Sequence, residues 1–266
     1  MDKSSITGIL LGMIAVGVGM VLKGVSLMAL FNPAAILIIF LGTAASVCIS
    51  FPVSTIKKVP SLFKILFVEK KETDEKDLIV MFINWGNQIR QEGVLSLERE
   101  LDKVDDPFLK SGLQLIIDGE TPEFVEEVML EKISAMEKRH EEGAAVFSRA
   151  GTYAPTLGVL GAVIGLIAAL GNIEDMDVLG EAISAAFMAT LFGIFSGYVL
   201  WHPFANKLRE KSKREVHKKE MIIEGVQSLI SGESAIAIKE KLGSFLSEQE
   251  LADIDQEDIH AKKETA

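Results

Sequence analysis

The stretch that decides the fold is Gly151–Phe204. It reads GTYAPTLGVLGAVIGLIAAL at 151–170, GNIEDMDVLGE at 171–181 and AISAAFMATLFGIFSGYVLW at 182–201, followed by His202, Pro203 and Phe204. Neither apolar run holds a charged residue. Each has about 20 residues, enough to cross a ~30 Å hydrocarbon core at ~1.5 Å per residue. Both carry small and hydroxyl residues beyond what a plain anchor needs: Thr156, Gly158, Gly161 and Gly165, then Ser184, Thr190, Gly193, Ser196 and Gly197. Pro155 and Pro203 fall towards the same side if the pair is a membrane hairpin.

Working outward, the chain has 266 residues, 48% of them hydrophobic, and a mean hydropathy of +0.30. A soluble domain of this length rarely combines positive mean hydropathy with unbroken apolar runs, so the composition points to the membrane class. Two further runs lie near the N-terminus, at 6–22 and 33–53. The first resembles a signal peptide but lacks a clear cleavage site before Lys23, and the second follows at once, so a retained hairpin is expected. The Gly8/Gly12 spacing would let helices approach closely. The net charge of −11 leaves no basic face for nucleic acid. The single cysteine, Cys48, lies inside an apolar run and reads as a small packing residue.

Residues 54–150 read as one polar, helical segment. Apolar residues at 78, 79, 82, 85 and 89 make one helix face. Gly93 interrupts it. Asp106-Pro107 reads as a helix start stopped by Gly119, and Thr121-Pro122 starts a helix that runs towards 151. After Pro203 a basic, then amphipathic, helix reaches Gly232. Residues 205–246 are expected as C-terminal helices and 247–266 as a disordered acidic tail. Nearly all Lys and Arg lie in 54–150 or after 203. The positive-inside rule therefore places both termini and these segments in the cytoplasm. The expected fold is an all-α membrane protein: four transmembrane helices, with a helical cytoplasmic domain between spans two and three.

No phosphate-binding loop, His-Glu-x-x-His or Cys-x-x-Cys pattern is present, and the histidines at 140, 202, 217 and 260 are scattered. His202, beside Pro203, is the one worth testing. No span holds an ionisable residue in its middle, although ion carriers usually do. If this chain conducts ions, a second chain supplies the carboxylate. Thr156, Ser184 and Thr190 then either line one wall or bond to their own preceding turn. Pro155 and Pro203 read either as boundary markers or as a hinge. The acidic loop (Glu174, Asp175, Asp177, Glu181) either gathers cations or is simply solvated.

The runs YAPTLGVLGAVIGLI at 153–167, MATLFGIFSGY at 188–198, HPFANKL at 202–208 and RQEGVLSLE at 90–98 together resemble the MotA family, the larger stator subunits of the bacterial flagellar motor. The third-span motif is shared more loosely with the ExbB and TolQ proteins, which have three spans. The hairpin at 6–53 and the stretch at 90–98 favour MotA. The resemblance implies a ring, a pentamer, around a MotB dimer that brings the intramembrane aspartate. It implies no enzymatic chemistry and no cofactor beyond the proton as coupling ion. It implies torque on the rotor switch protein FliG through Arg90 and Glu98, which by themselves read as solvated charges. It makes Pro155 and Pro203 the coupling prolines and places Thr156, Ala162 and Thr190 on the ion path. Sodium-driven relatives tend to carry threonine at the position matching Ala162. A methyl offers a sodium ion no oxygen, so alanine favours the proton.

Overall fold

The computed structural model describes residues 3–68, 73–171 and 173–251. Its helices, in chain order, are α1 (Lys3–Leu22), α2 (Pro33–Ile36), α3 (Gly42–Ser50), α4 (Val53–Ile56), α5 (Val59–Phe67), α6 (Glu75–Glu92), α7 (Glu98–Leu101), α8 (Pro107–Ile117), α9 (Pro122–Leu170), α10 (Met176–Phe195), α11 (His202–Ile230) and α12 (Ala235–Gly243). Two wide π-turns, Leu37–Leu41 and Ser196–Trp201, join α2 to α3 and α10 to α11 without a break. No strand occurs among the described residues. Four helical stretches are long and apolar enough to cross a membrane: Ser4–Leu22, Leu27–Ser50, and parts of Pro122–Leu170 and Met176–Ile230. Only 6% of the most apolar window of the first stretch is buried within this chain. Lipid or other subunits must therefore cover it.

Local chemistry accounts for the helix ends. The Asp106 carboxylate accepts from the Phe108 and Leu109 amides at 2.7 and 3.2 Å, with Pro107 at the first helical position. Asp74, Asp175 and Ser234 cap α6, α10 and α12 in the same way. Gly93, Gly119 and Gly232 end their helices at φ of 84°, 77° and 64°, a region that costs glycine little. The helix begun at Pro122 runs unbroken for 49 residues into the third span.

The chain divides into two compact units. One comprises residues 1–70 and 139–211; the other comprises 71–138 and 212–266. The first therefore takes in parts of the expected 54–150 segment, because their aromatic residues pack with the end of the fourth span. Phe63 and Phe147 meet edge-on at 5.0 Å, and both approach Trp201 and Phe204. Leu66, Ala144, Ala205 and Leu208 complete that cluster. The second unit is a helical domain whose core joins Phe82 and Trp85 of α6, Leu113 of α8, Met129 of α9, Ile222 and Val226 of α11, and Ile238 of α12.

Two expectations change. Of the Gly8/Gly12 pair only Gly12 makes a close approach: a methyl there would lie 2.7 Å from Val199, whereas nothing stands within 4 Å of Gly8. At the start of the expected disordered tail, Ser247 caps a helical turn. Its amide and hydroxyl both reach the Glu250 carboxylate, at 2.9 and 2.5 Å, and Leu251 packs on Gly243. The rest of that tail, 252–266, lies outside the described residues, as do 69–72.

Candidate functional site

Spans three and four meet along a seam of residues almost without side chains. A methyl at Gly158 would stand 2.9 Å from the Ala189 carbonyl oxygen and 3.0 Å from the Gly193 Cα. One at Gly193 would stand 2.7 Å from the Ala154 carbonyl oxygen and 2.8 Å from the Gly158 Cα. Gly161 faces the Ala189 methyl, and Gly165 faces Ala186. Close backbone approach is the way small residues hold helices together in lipid, where no hydrophobic drive operates between them. The glycines, more than an anchor needs, are this contact surface.

The seam ends in a proline knuckle. Pro155 has no N–H to bond the Gly151 carbonyl, four residues before it. That carbonyl oxygen instead lies against Gly197: a methyl on Gly197 would be 2.8 Å from it and 2.8 Å from Pro155 Cγ. Gly197 belongs to the π-turn Ser196–Trp201, where the His202 amide donates to the Gly197 carbonyl, one residue beyond the α-helical partner. The widened turn leads directly to Pro203, which has no N–H either. A π-turn is a natural relief where proline would clash with the preceding turn. The structure thus brings Pro155 against the π-turn that precedes Pro203, a meeting that sequence spacing cannot reveal. The His202 ring packs on Gly151, where a methyl would be 2.7 Å from Cδ2, and lies 5.4 Å from the Tyr198 ring. Tyr153 ties the same end to the second span by a 2.8 Å hydroxyl–hydroxyl bond with Ser50.

The polar residues of the seam are spread around it. Thr156 is exposed, and its hydroxyl donates to the Tyr153 carbonyl at 2.7 Å. Thr190 is half-buried, and its hydroxyl lies 3.5 Å from the Ala186 carbonyl. Both donate to their own preceding turn and keep lone pairs free to accept. Ala162 is half-buried. At about 100° per residue it sits about 120° around α9 from Thr156, so these two do not share one face.

In the other unit, Arg90 and Glu98 stand on either side of the Gly93 turn, both exposed. The turn is braced by Gln88 and Ser96: the Gln88 amide donates to the Ser96 carbonyl at 3.1 Å, and the Ser96 hydroxyl to the Gly93 carbonyl at 2.6 Å. Arg90 donates to the Gly232 carbonyl at 3.0 Å, satisfying the turn that ends α11. Among the described residues Arg90 and Glu98 make no ion pair with each other, so Glu98 presents an open carboxylate.

Sequence reading missed one charged pair. Arg209 grips Glu141 with two hydrogen bonds, at 2.9 and 2.7 Å, and so joins α9 to α11 beyond the apolar spans. The guanidinium hydrogen bond holds the Glu141 carboxyl below the usual carboxylate range, against a weaker opposing effect of burial. Sixty-eight residues separate the partners, so no local pattern signals the pair. No cluster of metal-ligating side chains occurs among the described residues.

Residues 100–221 match the MotA/TolQ/ExbB proton channel family. The chain is 58% identical over 246 residues to Motility protein A of Bacillus subtilis, covering 92% of this chain and 91% of that one. Its fold matches a chain in the structure of the flagellar MotAB stator complex from Bacillus subtilis, with a TM-score of 0.90 at 56% identity over 95% of this chain and 99% of that one. It also matches a chain of C. jejuni MotAB, with a TM-score of 0.88 at 28% identity over 93% and 97%.

Proposed function

We infer that this chain, which belongs to the motility protein A family, is a stator subunit of the bacterial flagellar motor. With a MotB partner it conducts protons across the membrane and converts their flow into torque. The observation that carries this reading is the seam of spans three and four. It is tightly packed, carries prolines that remove two backbone donors, bears hydroxyls, and has no charged side chain within the apolar spans. Such a wall needs a carboxylate from elsewhere, and two solved structures that share this fold are of MotAB.

The working assembly is a ring, a pentamer, around a MotB dimer in the inner membrane, with both termini cytoplasmic and no enzymatic step. When the partner's aspartate takes up or releases a proton, its contacts with the seam change. The Pro155–Gly197 knuckle is the place where that change meets the backbone, because there the helical hydrogen bonding is already interrupted. Continuous helices α9 and α11 carry the displacement onward, and Arg90 and Glu98 present charge to FliG. Ala162 supplies no oxygen, which favours the proton over sodium. Thr156 and Thr190 offer lone pairs to a hydrated proton on the wall.

The test is deletion of the gene and re-expression of the wild-type chain. Swimming should vanish and return, and it should be independent of sodium at fixed pH. Motility that survives deletion would refute the stator reading. A steep dependence on sodium would refute the proton assignment. An ExbB-like energiser would tolerate charge reversal at both Arg90 and Glu98.

A further inference from the structure

The short helix α5 and the turn before it have a composition that torque generation does not explain. Residues 54–68 hold three lysines, Lys57, Lys58 and Lys64, and no carboxylate, in a chain whose net charge is −11. All three lysines are exposed, and none pairs with a described carboxylate. One face of α5 is sealed: Leu66 is fully buried, and Phe63 and Phe67 pack against Phe147 and Phe204. The other face is Pro60, Ser61, Lys64, Ile65 and Val68, all exposed.

The depth of α5 follows from its anchors. The Ser5 hydroxyl, at the start of the first span, donates to the Leu66 carbonyl at 3.3 Å. Lys211, beyond the fourth span, donates to the Ile65 carbonyl at 2.6 Å. Pro52, after the second span, leads into the same segment. The helix is therefore held where the apolar spans end and lipid headgroups begin. That face presents one cation, Lys64, beside Ile65 and Val68, each 46% exposed; the turn before α5 adds Lys57 and Lys58, and Val53, ahead of them, is 69% exposed. A soluble acidic partner would match the lysines but leave those aliphatic groups in water. A leaflet satisfies both, with the aliphatic side chains in the acyl boundary and the lysine stems extended to the phosphates.

We propose that Lys57, Lys58 and Lys64 form a binding surface for anionic phospholipid headgroups, seating the inner ends of the four spans in a negatively charged leaflet. The proposal rests on the four-span reading. Juxtamembrane lysines gain about fivefold in affinity each beside an anionic surface, so three together favour an anionic over a zwitterionic lipid by at least about tenfold.

The test uses the full chain with its partner subunit, reconstituted in nanodiscs of equal parts phosphatidylcholine and phosphatidylglycerol. The complex is then moved to mild detergent, and retained lipid is counted by mass spectrometry. The wild type should retain phosphatidylglycerol at least about tenfold over phosphatidylcholine in low salt, and less in high salt as screening grows. The K57Q/K58Q/K64Q variant should fall to the bilayer ratio, with its thermal stability in uniform phosphatidylcholine unchanged. A K103Q/K110Q control in the polar domain should keep the wild-type preference. Equal retention of both lipids by the wild type, or an undiminished preference in the triple variant, overturns the proposal. A triple variant that loses motility while the wild type shows no lipid preference assigns the lysines to a protein partner, and also overturns it. Failure of the wild type to enter nanodiscs at all would count against the four-span reading instead.

Discussion

Adding one methyl group at Gly193 should separate spans three and four. In Gly193→Ala the new Cβ would sit 2.7 Å from the Ala154 carbonyl oxygen and 2.8 Å from the Gly158 Cα. Both obstacles are backbone of the facing helix, so neither can swing aside as a side-chain tip would. Restoring the ordinary 3.4 Å contact requires the helices to part by about 0.7 Å. A gap of that size forfeits roughly a quarter to a half of the dispersion energy of each contact along the seam. Forcing a methyl into a packed interior typically costs about 1–3 kcal/mol. Gly8→Ala is the matched control, since nothing stands within 4 Å of that position and alanine is the better helix former. Unfolding of the purified chain in mixed detergent micelles should show Gly193→Ala destabilised by about 1–3 kcal/mol and Gly8→Ala unchanged or slightly stabilised, with swimming lost only in the former. Equal stability and equal motility of the two variants would refute the close-contact account of the seam.

Other expectations follow from the same geometry. Pro155→Ala returns an N–H that can bond the Gly151 carbonyl and removes the ring from Gly197; motility should fall while the complex with MotB still assembles, as judged by co-purification. Arg90→Glu should impair swimming more than Arg90→Ala does. Both lose the bond to Gly232, a cost to stability of about 0.5–1.5 kcal/mol measurable by thermal melting, but only the former inverts the exposed charge that the proposed rotor contact would use. The Glu141–Arg209 pair should stabilise the fold by no more than about 1 kcal/mol, since both groups are partly exposed. Because the folded carboxyl is held low, that contribution is present above the ordinary carboxylate range and is lost as pH falls through the lowered value. Glu141→Gln should flatten that part of the acid limb of the melting curve. Ala162→Thr, which adds a hydroxyl at the proposed ion-path position, should make swimming speed respond to sodium at fixed pH.

The four apolar stretches and most helix ends were legible in the sequence because they depend on local chemistry. Runs without charge declare a span, Asp106-Pro107 declares a start, and Gly119 and Gly232 declare stops. The seam was half legible. Its glycines stood out as excess, but which glycine faces which depends on how two helices cross. The knuckle was not legible, because a π-turn is a change of hydrogen-bond register with no composition of its own. The extent of each compact unit is not legible for a related reason. Phe63, Leu66 and Phe147 sit among lysines and glutamates in sequence, so their segments read as polar, whereas in the fold they pack with Trp201 and Phe204. For Arg90, sequence offered a solvated charge and the resemblance a rotor contact, and neither anticipated its bond to Gly232.

The measurement that bears most directly on the central claim is the rotation speed of tethered cells. A strain lacking this chain is made to re-express it, and the proton-motive force is lowered stepwise with a protonophore at constant sodium. The account predicts no rotation before expression, rotation after it, and a speed that declines with the proton-motive force to zero. Rotation that persists once that force has collapsed, or that never depended on the chain, would contradict it.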